Sequence, residues 1–278
     1  MFDVSHPEVR SAIVQALAED IGSGDVTSQL TVPADLPSRG TFIAKQDLVL
    51  AGIELLPLVY EIRGGATVEL LAASGSRLAP GALAARVSGT ARTLLECERV
   101  ALNFLQRLSG VATLARRYVD AIAGTKARVL DTRKTTPGLR RLEKSAVAAG
   151  GVTNHRIGLY DAVLIKNNHI TAAGGVRNAL ERVKTFHGPI EIEVRTRSEL
   201  EEALTSGARS LLLDNLSPVE AADWIQYIAG RATVELSGNI DLANIRAYAE
   251  AAPDFISCGA ITHSAPAVDI SFRLELER

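Results

Sequence analysis

Cysteine, methionine and tryptophan are scarce in this chain of 278 residues, which contains two, one and one of them respectively. Cys97 and Cys258 lie far apart in the sequence, so they cannot form a CxxC metal pair, and two cysteines cannot build a disulfide framework. Each lies in an apolar run, which predicts a buried, reduced thiol. The scarcity therefore excludes disulfide-stapled and CxxC-type metal-binding proteins.

A strong charge of one sign is also lacking, since 30 lysines and arginines stand against 32 aspartates and glutamates. Proteins that bind nucleic acid or a membrane surface usually carry a basic excess. No stretch of 18 uncharged apolar residues could cross a bilayer, and the start, "MFDVSHPEVR", lacks the apolar segment of a secretory signal. We therefore expect a soluble, cytoplasmic protein that binds neither nucleic acid nor membranes.

The first 110 residues predict two helices that flank a small sheet. Apolar residues recur at helical spacing from Glu8 to Asp20, and "GSGDVTS" then breaks the helix. Short β-leaning runs follow: "TFIAK", "DLVLAGI", "ATVELLA" and "LAARVSG". A second helix, "ARTLLECERVALNFLQRLSG", has a stripe that we predict to be buried, and Gly110 is expected to end it. The stripe consists of Leu94, Cys97, Ala101, Leu105 and Leu108.

Beyond residue 110 an apolar strand, a polar residue and a helix alternate repeatedly. The predicted strands are "ARVLD", "AVLIK", "IEIEV", "SLLLD", "TVELS" and "FISCG". Continuous apolar strands separated by helices indicate a parallel sheet covered on both faces, either a barrel or a doubly wound sheet. Six units with short returns, and no GxGxxG fingerprint after the first strand, favour the barrel. We therefore predict an α/β protein whose barrel domain spans residues 111–267.

Every predicted strand ends in a polar or small residue that could take part in binding or chemistry. In a β/α barrel the active site is built at the carboxyl ends of the strands. The interpretation of these positions as a functional site therefore follows from their place in the repeat. They are Asp131, Lys166, Glu193, Asp214, Ser237 and Gly259.

The window from Asp131 to His169 is strongly basic, with seven lysines and arginines against three acidic residues, a net charge of +4. Such a concentration in loops indicates a polyanionic small ligand, which arginine can bind through a bidentate fork. We expect Arg140, Arg141 and Lys144 to lie on a solvent-exposed helix face. The four cations at strand ends or in tight loops are predicted to be functional. They are Arg133, Lys134, Arg156 and Lys166.

The later strand ends carry carboxylates and then small residues. Glu193 and Asp214 could hold ribose hydroxyls, a magnesium ion or developing positive charge, or could simply pair with Lys166 or Arg195. The turns "LSGNI" and "SCGAITHS" offer backbone N–H groups where barrels commonly bind phosphate. A metal site built on His155 and His169 is not expected, because their spacing is wrong and their neighbours are donors. The pattern suits the joining of an anionic small molecule to a phosphorylated sugar.

These segments also resemble one family. In this order, "DTRKTTPGLR", "NHRIGLYDAVLIKNNH", "IEIEV", "LLLDN", "LSGNI" and "GAITHS" are similar to quinolinate phosphoribosyltransferases, and "EDIGSGD" and "ARTLLECERVALNFLQRLSGVAT" match the amino-terminal half of that family. The resemblance implies an amino-terminal α/β sandwich domain over residues 1–110 and an incomplete β/α barrel. The tail, residues 268–278, is expected to pack back on the first domain.

The resemblance implies a reaction in which quinolinate and 5-phosphoribosyl-1-pyrophosphate yield nicotinate mononucleotide, pyrophosphate and CO2 in de novo NAD biosynthesis. It implies Mg²⁺ as cofactor, held mainly through pyrophosphate, with Glu193 and Asp214 as protein groups that could contribute. It also implies a homodimer with shared sites, and leaves a hexamer open. Competing possibilities are a related type II transferase acting on nicotinate and a paralogue associated with molybdenum transport.

The resemblance assigns roles by position. Catalytic roles fall to Lys134, Lys166, Glu193 and Asp214. Arg99 would reach the quinolinate of the partner subunit, and the dicarboxylate pocket would comprise Thr132, Arg133, Lys134, His155 and Arg156. Lys166, Glu193 and Asp214 would contact the ribose and pyrophosphate. The phosphate of the sugar would be held by Ser237, Gly238, Asn239, Cys258, Gly259, Ala260 and His263.

Overall fold

The structure is a computed structural model that describes residues 3–276, and its contacts divide the chain into two compact units. The first unit comprises Met1–Arg116, Thr135–Gly151 and Ile261–Arg278, and the second comprises Arg117–Lys134 and Val152–Ala260. Residues 277 and 278 of the predicted tail lie outside the described residues. The predicted boundary between domains, at residue 110, stays a prediction.

The elements alternate along most of the chain. The helices are α1 (Pro7–Ile21), α2 (Val26–Thr31), α3 (Leu55–Arg63), α4 (Ala91–Ala121), α5 (Arg140–Ala149), α6 (Asn167–Ala173), α7 (Val176–Val183), α8 (Arg197–Thr205), α9 (Pro218–Ile228), α10 (Ile245–Glu250) and α11 (Ala260–His263). The strands are β1 (Pro37–Ala44), β2 (Leu48–Val49), β3 (Ala66–Leu70), β4 (Arg77–Leu78), β5 (Leu83–Thr90), β6 (Arg128–Leu130), β7 (Val163–Ile165), β8 (Ile190–Val194), β9 (Ser210–Asp214), β10 (Thr233–Ser237), β11 (Phe255–Ser257) and β12 (Ile270–Leu276). Within residues 3–276 no helix is long and apolar enough to cross a bilayer.

The first unit is built around an antiparallel sheet with the strand order β12-β1-β5-β3. The carboxy-terminal strand β12 pairs with β1, and Phe42 faces Phe272 in that register with ring centroids 5.0 Å apart. An aromatic pair of this kind adds about 0.5–1.5 kcal/mol beyond the area it buries. The predicted small sheet is confirmed, and β2 and β4 form a further two-stranded pair.

Helix α4 differs from the sequence prediction, because it does not end at Gly110 but continues to Ala121. A Cβ atom at Gly110 would lie 2.1 Å from the carbonyl oxygen of Pro266, which no real side chain tolerates. The glycine therefore allows a close approach of the chain at Pro266 and Ala267, and does not terminate the helix. The predicted buried stripe is confirmed, since all five of its residues are buried.

The second unit contains a six-stranded parallel sheet with the order β6-β11-β10-β9-β8-β7. All six predicted strands are present, and the fold class, an incomplete β/α barrel beside an amino-terminal α/β unit, is confirmed. The first strand, β6, pairs with the last, β11, so the barrel is open between β6 and β7, and an isolated bridge joins Leu130 to Thr153 there. The helix of this interval, α5, belongs to the first unit, which leaves the barrel one helix short.

Candidate functional site

The end of β6 is tied to the "NHR" segment by a buried aspartate. Asp131 is fully buried, and its carboxylate accepts a 2.7 Å hydrogen bond from the backbone N–H of His155. The hydroxyl of Thr132 accepts from the backbone N–H of Lys134 at 3.1 Å, which shapes the turn that follows. Asp131 thus links the segment after β6 to the "NHR" segment, and both segments carry predicted site residues.

Two guanidinium groups of the predicted dicarboxylate pocket lie close to each other. Burial and, next, the charge of Arg133 lower the pKa of Arg156, whose Nη1 donates to the carbonyl oxygen of Ala162 at 3.1 Å. Asp161 fixes the intervening loop by accepting from the N–H groups of Ile157 and Gly158 at 2.7 and 2.8 Å. Two neighbouring cations that repel each other favour a bound anion.

His155 itself belongs to a cluster with Glu191 of β8 and Glu235 of β10, here called the buried cluster. Its Nε2 lies 3.2 Å from Glu191 and 3.4 Å from Glu235, and the three side chains are 18%, 12% and 3% exposed. The hydroxyl of Ser210 donates to Glu191 at 3.1 Å, and Ser257 hydrogen-bonds Glu235. These bonds satisfy the carboxylates, as burial of charge requires.

The charge on His155 depends on two opposed sets of contacts. Burial lowers the pKa of His155, but the hydrogen bonds and charges of Glu191 and Glu235 outweigh it and raise that pKa to about 9. On the other side of the ring, Nδ1 accepts from the backbone N–H of Arg156 at 2.7 Å, which favours the neutral form. Burial raises the pKa of Glu235. The two carboxylates favour the protonated ring, and a proton on Nδ1 would displace the N–H of Arg156.

A second group of charges lies at the carboxyl ends of β7, β8 and β9, and we call it the mouth cluster: Lys166, Glu193, Arg195 and Asp214. The carboxylate of Glu193 forms ion pairs with Arg195 at 2.8 Å and with Lys166 at 3.7 Å. Glu193 is 5% exposed, whereas Arg195 and Lys166 are 48% and 54% exposed. The ion pairs with Lys166 and Arg195 that the sequence suggested are therefore present for Glu193. Burial and the nearby charge of Glu193 raise the pKa of Asp214.

The ends of β9 and β10 have unusual backbone conformations. Asn215 and Asn239 have φ values of 59° and 52°, and Gly238 has a φ of 102°. A Cβ atom at Gly238 would lie 2.2 Å from Oδ1 of Asn215, whose Nδ2 donates to Asp214 at 2.7 Å. Left-handed non-glycine residues often occur at functional sites, because the surroundings must hold them there.

Cys258 lies beyond β11, where its backbone N–H donates to the carbonyl oxygen of Leu130 at 3.0 Å. That N–H is engaged within the sheet, so Gly259 and Ala260 are the next backbone donors of the turn. Burial raises the pKa of the Cys258 thiol to about 12, and of the Cys97 thiol to the same value. Both cysteines are free and buried, as the sequence predicted.

Two predicted site residues, Arg99 and His263, belong to the first unit, and the others belong to the second. Arg99 is exposed on α4. His263 is the exposed last residue of α11, and its Nδ1 lies 2.6 Å from the hydroxyl of Ser264.

One expectation for the basic window is wrong. Lys144 is 2% exposed, because it shares the inner face of α5 with Val147 three residues later. Arg141 does lie at the surface, paired with Glu8 at 2.7 Å, and Nε of Arg140 donates to the hydroxyl of Thr135 at 3.0 Å.

Three residues in or beside these clusters were not predicted from the sequence: Glu191, Glu235 and Asn215. A signal existed for Glu191, because "IEIEV" places two glutamates two residues apart on the same face of a strand. Glu235 stands in the middle of "TVELS", where a charged residue in a buried strand must have a partner. Asn215 carries no signal that a lone sequence reveals.

His169 is separate from the buried cluster. Its Nδ1 accepts from the backbone N–H of Lys166 at 2.9 Å, which caps α6. Within residues 3–276, the side chains that could share a metal ion are those of the buried cluster. Their potential ligand atoms lie within 4.8 Å of one another. The hydrogen bonds of His155 Nε2 already engage both carboxylates there.

Comparisons with known proteins agree on one family. The description "Quinolinate phosphoribosyl transferase, C-terminal domain" matches residues 111–273, and the N-terminal domain of the same family matches residues 25–109. A chloroplastic nicotinate-nucleotide pyrophosphorylase [carboxylating] of Arabidopsis thaliana is 40% identical, over 98% of this chain and 85% of that protein. A probable nicotinate-nucleotide pyrophosphorylase [carboxylating] of Bacillus subtilis is 36% identical, over 98% and 96%. The crystal structure of NadC from Streptococcus pyogenes aligns with a TM-score of 0.95 at 37% identity, over all of both chains.

Proposed function

The chain belongs to the quinolinate phosphoribosyl transferase family, and on that premise we propose that it is a decarboxylating phosphoribosyltransferase of NAD biosynthesis. Quinolinate and 5-phosphoribosyl-1-pyrophosphate are its substrates, and nicotinate mononucleotide, pyrophosphate and CO2 are its products. The observation that carries the proposal is the separation of charge in the second unit. The neighbouring guanidinium groups of Arg133 and Arg156 lie in the segments after β6 and before β7, and the neighbouring carboxylates of Glu193 and Asp214 lie at the carboxyl ends of β8 and β9.

The cationic side suits a dicarboxylate. Arg133 and Arg156 are close enough to repel each other, and His155 adds a third positive charge beside them. Together with Thr132 and Lys134, they form the proposed quinolinate pocket. Guanidinium groups bind carboxylates through paired hydrogen bonds, so two carboxylates use such a pocket better than one. This favours quinolinate over nicotinate.

The carboxylate side suits the phosphoribosyl donor. Departure of pyrophosphate leaves positive charge on the ribose, which Glu193 and Asp214 can stabilise, while Lys166 can stabilise the departing pyrophosphate. The exposed lysine can exchange its 3.7 Å contact with Glu193 for a phosphate oxygen without loss of a buried ion pair. The phosphate of the sugar is assigned to two turns and to His263. The turns comprise Ser237, Gly238 and Asn239, and Cys258, Gly259 and Ala260.

Decarboxylation follows from the bond that is formed. The ring nitrogen of quinolinate attacks the ribose and becomes a pyridinium, which accepts the electron pair left when the adjacent carboxylate departs as CO2. A proton then replaces the carboxylate on the ring carbon. The protein's task is to orient two anions and suppress their repulsion, and no protein nucleophile is required.

We also propose Mg²⁺ as the cofactor, bound chiefly through pyrophosphate. Glu193 and Asp214 are oxygen donors of the type that Mg²⁺ prefers, and the raised pKa of Asp214 beside Glu193 indicates a place where a cation would be favourable. When bound, the ion neutralises charge on the leaving pyrophosphate. The free, buried cysteines support the proposed cytoplasmic location.

The proposed assembly is a homodimer in which Arg99 of the partner subunit completes each quinolinate pocket, and a hexamer of such dimers is compatible with it. An exposed arginine on a long helix is suited to this reach. Arg99→Ala and Lys134→Ala proteins should each be inactive, and mixing them should restore part of the activity. A mixture as inactive as its components would contradict a shared site.

The decisive test is release of labelled CO2. Purified protein with Mg²⁺ should release it from quinolinate labelled in the carboxylate next to the ring nitrogen, and only when 5-phosphoribosyl-1-pyrophosphate is present. Nicotinate in place of quinolinate should give no mononucleotide. Absence of CO2 from a protein shown to be folded by circular dichroism would overturn the proposal.

The division of the pocket has its own test. Arg133→Ala should weaken the binding of quinolinate far more than that of the phosphoribosyl donor, by about 2–5 kcal/mol, because the carboxylate then lacks its charged partner. Isothermal titration with each substrate separately measures both losses. Equal losses would show that Arg133 serves both substrates.

A further inference from the structure

An ion pair joins helices α4 and α5 of the first unit, and its carboxylate is the buried partner. Nε and Nη2 of Arg107 donate to Oε1 of Glu143 at 3.1 and 2.8 Å. The Glu143 side chain is 0% exposed and that of Arg107 is 28% exposed. Burial of such a pair is costly, and an apolar replacement is often at least as stable, so the pair calls for a reason other than stability.

The carboxylate of Glu143 also fastens the turn that precedes α5. The backbone N–H of Thr136 donates to Oε2 at 3.0 Å, and the hydroxyl of Thr136 donates to Oε1 at 2.7 Å. The backbone N–H of Glu143 in turn donates to the carbonyl oxygen of Leu139 at 2.9 Å. The carboxylate of Glu143 therefore holds Thr136, and the backbone of the same residue holds Leu139 at the other end of the turn.

Arg107 fastens a third segment, which is remote in sequence. Its Nη1 donates to the carbonyl oxygen of Ala265 at 2.7 Å, and its Nη2 donates to that of Thr262 at 2.6 Å. Thr262 is fully buried. A guanidinium group has a planar, rigid set of donors, so these bonds fix the direction of the segment as well as its distance.

Both fastened segments continue directly into residues of the proposed site. Lys134, assigned to the substrate pocket, is two residues before Thr136, and His263, assigned to the sugar phosphate, follows Thr262. We infer that Arg107 and Glu143 are positioning residues, whose ion pair sets the geometry of two substrate-binding segments without touching a substrate. This inference rests on the proposed function.

The chain offers a matched control on the same helix. Nε and Nη2 of Arg63 both contact Oε2 of Glu96 at 2.6 Å, and Glu96 is 6% exposed. This pair has the same chemistry and joins α3 to α4, but it holds neither the Thr136–Leu139 turn nor the segment from Thr262 to Ala265. Glu143→Gln and Glu96→Gln are therefore equivalent changes of charge at nearly equal burial.

We expect Glu143→Gln to lower kcat/KM for both substrates by about a hundredfold, because small misplacements of binding groups are that costly. Glu96→Gln should stay within about twofold of the unchanged protein. Thr136→Val, which removes one hydroxyl donor, should reproduce the direction of the Glu143→Gln effect if Glu143→Gln itself folds poorly. Unchanged kinetics in Glu143→Gln, or equal losses in Glu143→Gln and Glu96→Gln, would overturn the inference.

Amide hydrogen exchange gives a readout that does not depend on activity. Exchange should accelerate in Glu143→Gln at Thr136 and Leu139, and at Thr262 and Ala265, but not in Glu96→Gln. Unchanged protection at both segments would show that the pair does not hold them. If the unchanged protein releases no CO2, the proposed function fails, whereas the exchange experiment still decides whether the ion pair fastens these segments.

Discussion

The barrel holds two clusters that each contain two carboxylates but differ in the cations that pair with them and in the exposure of those cations. Glu191 and Glu193 stand two residues apart on β8 and so face the same side of the sheet. Glu193, in the mouth cluster, is paired with cations that are about half exposed, whereas Glu191 is paired with His155, which is 18% exposed. Glu191 and Glu193 are the same residue type on the same strand face, so position along the strand decides which of them is paired with cations that a ligand can reach.

The difference teaches what each cluster is suited to do. A cation at the mouth can leave its carboxylate for a substrate, because Glu193 has two cationic partners and both are about half exposed. A partner in the buried cluster cannot leave without uncovering a charge in the interior. The mouth cluster is therefore suited to exchange partners during turnover, and the buried cluster to keep a fixed positive charge beside the quinolinate pocket.

The largest effect is expected when the buried cluster loses Glu235. Glu235→Ala should lower the free energy of unfolding by about 3–5 kcal/mol, since it removes one partner of a buried ion pair. Urea denaturation followed by circular dichroism measures the loss. Asp214→Ala, a carboxylate deletion at the mouth, serves as control and should cost much less stability. Equal losses of stability in Glu235→Ala and Asp214→Ala would show that the two clusters do not differ in their contribution to folding.

The next effect concerns the mouth and appears in kinetics. Glu193→Gln should lower kcat by about 10²–10³-fold, because it removes a charge that stabilises the transition state. Its stability should change by less than that of Glu235→Ala, since the partners of Glu193 are half exposed. Steady-state rates and urea denaturation of the same preparation test both statements. A kcat equal to that of the unchanged protein would show that Glu193 does not take part in the reaction.

Much of this architecture was accessible from the sequence. Each barrel strand is an apolar run that ends in a polar residue, and parallel strands bring such ends to a common edge. The placement of Lys166, Glu193 and Asp214 in one cluster follows from that rule. The strand β6 and its Asp131 were predicted for the same reason, although the bond from Asp131 to the backbone of His155 was not.

The rest depends on contacts between residues that are distant in the chain. The position of Glu235 on its strand gives no indication that its partner is His155, and Gly110 gives no sign that Pro266 lies against it. Helix α3 was missed because Pro57 stands in its sequence, although proline is tolerated in the first turn of a helix. Tertiary packing decides such cases, and local propensity does not.

The smallest effect is a pH dependence that separates the clusters by charge. The pKa of His155, about 9, exceeds its ordinary value of 6.5, so the folded protein holds this proton more tightly than the unfolded chain. The resulting stability is complete below pH 6.5 and is lost as the pH rises through about 9. Quinolinate KM should likewise increase, by about tenfold for each pH unit above that pKa if binding requires the cation. His155→Gln should abolish the step in both quantities, whereas Glu193→Gln should leave it in place. A KM that stays constant between pH 8 and pH 10 would mean that the Arg156 N–H holds the ring neutral, against the two carboxylates.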